Sequence, residues 1–207
     1  DVDTRGNFLH VWDAVAESRG RVRTITYCAF NKSIVGEFQE TWGWMQALLA
    51  TEQMSLQFCT VNSLGFRSIN KAFGKTKVNR TLAEDLMCNH LNVDKWEFRK
   101  SNPTAASAIP RLVELCKLTL AGWTEEHGFS SEKITHDVLD QLCSHFDVEL
   151  NGHRTCIYEV VPQILDLCLN PHENGSIDFN DQNWLPVVLG LPVYRSDLLL
   201  IDEGQDL

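Results

Sequence analysis

Asp202, Glu203, Gln205 and Asp206 stand close together, directly behind the apolar run Leu198-Leu199-Leu200-Ile201. Neighbouring carboxylates at such a place can hold a divalent cation and take a proton from an attacking water. A solvated acidic tail would carry the same residue types, but it has no use for an apolar lead-in. Four apolar residues in a row are what a strand buried on both faces needs. In open α/β sheets, ligands bind beyond the carboxyl ends of the strands. The expectation is a buried parallel strand that delivers carboxylates to a ligand.

Other residues with chemical capacity give weaker signals. Cys143, His145, His153 and Cys156 are the one metal-like grouping, and their spacing matches no common zinc pattern. Asp178 and Asp181 are further carboxylates that a metal could recruit, and a loop accounts for them as well. Gly74-Lys75-Thr76 imitates the end of a phosphate-binding loop. The GxxxxGK[ST] pattern, however, needs a glycine where Ile69 stands, and glycine followed by lysine is an ordinary helix stop. The seven cysteines stand singly with no CxxC pair, as expected of reduced thiols in a cytoplasmic protein.

The elements that must position these residues are legible in the periodicity. Apolar residues from Asn7 to Ser18 recur at helical spacing, and Gly20 stops them. "VRTITYCAF", Val22 to Phe30, is β-branched and aromatic and predicts a buried strand. A helix follows with Ile34, Val35, Phe38, Trp42, Met45 and Leu48 inward and a break near Gly43. Ser55 to Asn62 predicts a second strand, and "SLGFRSINKAF" a helix ending near Gly74. This alternation favours a parallel sheet of βαβ units. From Thr81 to Leu169 the periodic segments predict an all-helical region, with Pro103, Pro110 and Pro162 at turns or first-turn positions. "NPHENGSIDFNDQ" reads as a loop before the last strand.

The bulk properties bound the function. The chain has 207 residues, 43% of them hydrophobic, and no apolar stretch approaches the roughly 18 residues of a membrane span. Neither a basic n-region nor an apolar h-region is visible at the start, so no signal peptide is expected. A net charge of -10 is the wrong sign for a free-standing nucleic-acid binder, although Arg67, Lys71, Lys75, Lys77 and Arg80 form a local basic stretch.

Three segments in order resemble motifs of one family. "TYCAFNKSI" is similar to motif Ia of the UvrD/Rep-like superfamily 1 DNA helicases, and "CTVNSLGFRSI" to their next motif. "LLLIDEGQDL" resembles their Walker B motif, with an Asp-Phe-x-Asp signature upstream at Asp178. The resemblance implies an α/β, RecA-like (P-loop NTPase) parallel sheet, incomplete, with an inserted all-helical subdomain. Residues 1–80 would open the first RecA-like domain (1A), 81–176 would be the helical insertion (1B), and 177–207 would return to 1A.

The resemblance also implies roles. Asp202 would hold Mg²⁺ on ATP, Glu203 would act as general base, and Gln205 would sense the γ-phosphate. Asp206 would serve that relay or cap a helix. Phe30, Asn31 and Lys32 would line the path of single-stranded DNA, Phe30 being equally readable as core. Asn62 and Ser63 would bind its phosphates, with Asn62 replacing the family's histidine, an amide that carries no charge.

A P-loop is missing from this pattern. Its expected place near "DVDTRGNF" offers only Gly6, without the lysine and the nest of N–H groups that cradle phosphates. The implied protein is a fragment of an ATP-dependent helicase that acts with the remaining helicase domains of its parent and is itself inactive. The alternatives are a degenerate, non-catalytic helicase-like module that binds DNA or protein, and an unrelated hydrolase using Asp202 and Glu203 as a metal site.

Overall fold

The computed structural model describes Glu17 and residues 22–202. The helix expected over residues 7–18 lies, apart from Glu17, outside them, as do the "DVDTRGNF" segment and residues 203–207. The described residues form two compact units, one within residues 22–64 and 194–202 and the other of Gly65–Val193. The chain is mixed α/β.

The discontinuous unit is built on three parallel strands, β1 (Thr24–Ala29), β2 (Ser55–Thr60) and β7 (Leu198–Ile201), in the order β2-β1-β7. Parallel neighbours need a crossover, and α1 (Lys32–Trp42) with α2 (Trp44–Thr51) provides it between β1 and β2. Asn31 starts α1 by accepting the Ile34 N–H at 3.0 Å. The break expected near Gly43 is present, and a side chain there would meet the Gln39 carbonyl at 2.4 Å.

Alternation along the strands divides their side chains between two faces. Ile25, Tyr27 and Ala29 pack with Met45, Leu49 and Val35 under the two helices, joined by Leu56, Phe58, Leu198 and Leu200. Tyr27 stacks on Phe38, ring centroids 3.9 Å apart. The opposite face carries Thr26, Cys28, Gln57 and Cys59, with Gln57 Nε2 donating to Thr26 Oγ1 at 2.6 Å and Thr26 hydrogen-bonded to Ser196. Asp197 fixes the amino end of the sheet. Its carboxylate accepts the Arg23 and Thr24 N–H groups at 2.8 Å each and the Thr24 hydroxyl at 2.9 Å. These bonds hold its carboxyl below the usual range.

The strand Leu198–Ile201 is not buried on both faces, since Leu199 is 49% and Ile201 46% exposed. It lies at the edge of the described sheet, so only Leu198 and Leu200 reach the helix-covered side.

The second unit is mostly helical. Its core lies between α6 (Pro103–Leu118) and α8 (Arg154–Cys168), where Ile109, Leu112, Val113, Ile157, Val161, Ile164 and Leu165 are fully buried. Around them pack α4 (Leu82–Leu91), α5 (Lys95–Ser101), α7 (His136–His145) and α10 (Asp181–Val188). Pro103 opens α6 as expected, but Pro110 and Pro162 lie inside helices rather than at turns. An interior proline costs about 3 kcal/mol in lost hydrogen bonding and backbone clash. The inward side of each helix is buried beside its proline, by Ile109, Leu112 and Val113 around Pro110 and by Val161, Ile164 and Leu165 around Pro162.

The region is not all-helical either. Trp123–Thr124 (β4) and Gly128–Phe129 (β5) form a short antiparallel pair, and Lys77–Val78 (β3) runs parallel to Ser176–Ile177 (β6). The stretch expected as loop also contains α9 (Pro171–Asn174) and the start of α10. The helix α3 (Val61–Phe73) contributes Phe66, Ile69 and Phe73 to the helical core, and Trp184 and Leu185 of α10 belong to it too. Gly65 shows how close this packing is, since a Cβ there would stand 1.6 Å from the Gln182 carbonyl oxygen.

A buried polar cluster pins α10 within this unit. Asp178 and Asp181 exchange N–H···carboxylate bonds of 2.8 Å in a reciprocal capping arrangement. Lys117, its side chain fully buried, reaches both carboxylates at 2.5 and 2.7 Å and lies 5.4 Å from the centre of the Trp184 ring. The question left open for Asp178 and Asp181 is thereby answered structurally: they hold a helix end and a lysine.

Candidate functional site

Parallel pairing of β1, β2 and β7 brings three chain segments to one sheet edge. Cys28 is in register with Cys59 on one side and Ile201 on the other, so the residues after Ala29, Thr60 and Ile201 leave the sheet together. Phe30, Asn31 and Lys32 follow β1, Asn62 and Ser63 follow β2, and Asp202 follows β7. The sheet thus gathers every described residue of the expected site on its carboxyl edge. Glu203, Gln205 and Asp206 lie outside the described residues.

The local chemistry of each position differs. Phe30 is 55% exposed, so it is not a core residue. Asn31 Oδ1 accepts the Ile34 N–H and the Ser33 hydroxyl at 2.6 Å, so its carbonyl oxygen serves the helix, and the residue is exposed. Lys32 is exposed at the first position of α1. The strand expected to reach Asn62 ends at Thr60, because Thr60 caps the next helix. Its hydroxyl oxygen accepts the Ser63 N–H at 3.2 Å, and the Ser63 hydroxyl donates back to the Thr60 carbonyl at 2.7 Å. Asn62 is half-buried in the first turn of α3.

Asp202 continues the ladder, its N–H donating to the Cys28 carbonyl at 2.8 Å. Its carboxylate neighbours Tyr27, whose buried hydroxyl has no partner at bonding distance. Burial, and then the Asp202 charge, push the Tyr27 hydroxyl well above its ordinary pKa, so it stays a protonated donor beside this carboxylate.

These residues fit one part of a Mg²⁺-nucleotide site. Mg²⁺ is commonly held by one or two carboxylates plus substrate phosphates, and Asp202 offers such a carboxylate. Among the described residues there is no group of three or more His, Cys, Asp or Glu side chains that could hold a metal alone, the Cys143–Cys156 region included. Gly74-Lys75-Thr76 is a helix stop: Gly74 has φ +85° and donates to the Asn70 carbonyl at 3.0 Å, and Thr76 donates to Asn70 Oδ1 at 2.8 Å through its N–H.

The helical unit has an open groove of about 800 Å³ lined by Arg80, Glu84, Arg99, Arg111, Glu114 and Phe179, among others. Its charges largely cancel, because Arg99 pairs with Glu84 and Arg111 with Glu114 at 2.7 Å. Burial pushes the Glu84 carboxyl up, but Arg99 and Lys95 outweigh it and hold Glu84 below its ordinary range. Asp197, Gly65 and Lys117 were not singled out by the sequence. Their importance comes from long-range contacts that no local pattern announces. No helix of the described residues is long and apolar enough to cross a membrane. No protein-family model, curated protein or solved structure matches the chain.

Proposed function

We propose that this chain is part of a superfamily 1 DNA helicase, comprising most of a RecA-like 1A domain and its 1B-like helical insertion, and that it contributes to ATP-driven movement along single-stranded DNA. The observation that supports this reading is the common edge. The three motif-like segments occupy the carboxyl ends of three adjacent parallel strands in one sheet. In that reading Phe30 offers an exposed ring for base stacking, and Lys32 and the Asn31 amide offer donors to phosphate. Asp202 is the carboxylate for nucleotide-bound Mg²⁺, with Glu203 as general base and Gln205 and Asp206 in the relay. ATP turnover and unwinding belong to the assembled motor with its further domains.

The test is binding of a fluorescein-labelled oligothymidylate, read by anisotropy at low ionic strength. The reading expects weak binding that falls steeply with salt, as phosphate contacts require. Phe30→Ala and Lys32→Ala should each weaken it about tenfold, on the order of 1–2 kcal/mol for one stacked base or one charge-assisted contact. Binding that survives both substitutions unchanged would sink the assignment of this edge.

A further inference from the structure

On the sheet face away from α1 and α2, Cys28 of β1 and Cys59 of β2 are register partners with their sulfurs 3.4 Å apart. We propose that Cys28 and Cys59 are a redox pair that closes to a cross-strand disulfide when a hydroperoxide oxidises one of them. The proposal stands on this geometry and does not depend on the helicase reading.

The backbone already meets the requirement. Neighbouring strands lie about 4.8 Å apart, inside the roughly 4.4–6.8 Å Cα separation that a disulfide spans. The two side chains leave the sheet on the same side because their positions are in register. Only the sulfurs must approach, from a thiol–thiol contact to a bond of about 2.0 Å. No other cysteine takes part in a thiol–thiol hydrogen bond among the described residues. Cys116 and Cys168 are buried in the helical unit with thiols pushed up to about 12, which keeps them protonated and unreactive. Cys156 is exposed.

The chemistry balances in two steps. One thiolate attacks the hydroperoxide, the O–O bond breaks, and an alcohol leaves, giving a sulfenic acid. The second thiolate attacks that sulfur, the S–O bond breaks, and water leaves as the S–S bond forms. Two thiols lose two electrons and two protons, and the peroxide is reduced to alcohol and water. Cys28 and Cys59 are 1% and 4% exposed. Burial slows the first step by limiting access of the peroxide to the sulfur. It also excludes bulky thiols, so the contacting cysteine is the one that resolves the sulfenic acid. The bond would tie β1 to β2 immediately before the turns at Phe30 and Ser63.

The experiment treats the folded chain with graded hydrogen peroxide, blocks free thiols with an alkylating agent, and maps tryptic peptides without reduction. Cleavage after Arg23, Lys32 and Arg67 places Cys28 on residues 24–32 and Cys59 on residues 33–67. The expected result is a joined 24–32/33–67 species, split by reductant and at least tenfold more abundant than any other linked pair. Unfolding the chain in denaturant before oxidation should abolish that preference. In Cys59→Ser, the sulfenic acid at Cys28 should persist and be captured on the 24–32 peptide when the oxidised chain is unfolded in the presence of a cyclic 1,3-diketone. If the two peptides remain separate while Cys156 is oxidised, or if Cys28 links equally to other cysteines, the pair is not a redox unit. The wild-type map decides this even if the serine variant folds poorly.

Discussion

Replacing Lys117 with methionine tests the packing logic of the helical unit most severely. The side chain is fully buried and paired with Asp178 at 2.5 Å and Asp181 at 2.7 Å. Methionine keeps the stem's volume and removes only the ammonium. Two carboxylates then stay in the interior without their cation, and breaking a buried pair from one side costs about 3–5 kcal/mol. With a denaturant slope of about 2 kcal/mol per molar urea, the unfolding midpoint should fall by about 1.5–2.5 M. Urea unfolding followed by tryptophan fluorescence is the assay, since Trp184 stands beside the lysine.

The pH dependence gives a second readout of the same variant. Burial raises the Asp181 carboxyl and Lys117 opposes that rise, so removing the lysine lets it rise further. An acid whose folded pKa lies above its unfolded value contributes stability at low pH and loses it as pH rises through the folded pKa. The deficit of Lys117→Met should therefore shrink as pH falls from neutral towards about 5. Adding Asp181→Asn to Lys117→Met should restore part of the loss. A single-variant loss below about 1 kcal/mol, or a deficit that grows on acidification, would refute the reasoning.

Other expectations follow from the same structure. Gly65→Ala should lower stability by about 1–3 kcal/mol, because its Cβ would overlap the Gln182 backbone; an unchanged thermal midpoint would contradict that contact. Asn31→Ala should cost about 1 kcal/mol through loss of the α1 cap, while Asn31→Asp should keep the stability and, if the edge meets phosphate, weaken oligonucleotide binding. Glu84 is held below its ordinary pKa by Arg99 and Lys95, so its share of stability is present above the unfolded carboxylate pKa and lost as pH falls through the folded one. Glu84→Gln should flatten that acid limb in urea titrations between about pH 5 and 3.

Much of the architecture was legible because it is local. The β-branched run before Phe30 and the apolar Leu198–Ile201 each had to be strands, and the helix break at Gly43 was visible in the periodicity. What could not be read is set by distant contacts. Nothing near Pro110 or Pro162 in the sequence shows that the inward face of each helix is buried so completely beside the proline. The Lys117–Asp178–Asp181 cluster joins residues 61 positions apart. Strand order was equally silent, since β7 returns to β1 after the whole helical unit. At the candidate site, the positions were legible but their occupations were not. Asn31 looked like a contact residue, and half of its amide turns out to start a helix.

Photocrosslinking bears most directly on the claim that DNA runs along this sheet edge. A bromodeoxyuridine oligonucleotide is irradiated with the chain, and the adduct is mapped by tryptic mass spectrometry. The account predicts adducts at Phe30, in the peptide of residues 24–32, that disappear in Phe30→Ala. Trp96 supplies the contrast, being 70% exposed with Lys100 beside its ring, 5.3 Å from the centre. Adducts confined to Trp96, with none on residues 24–32, would contradict the account and move the nucleic-acid path to the helical unit.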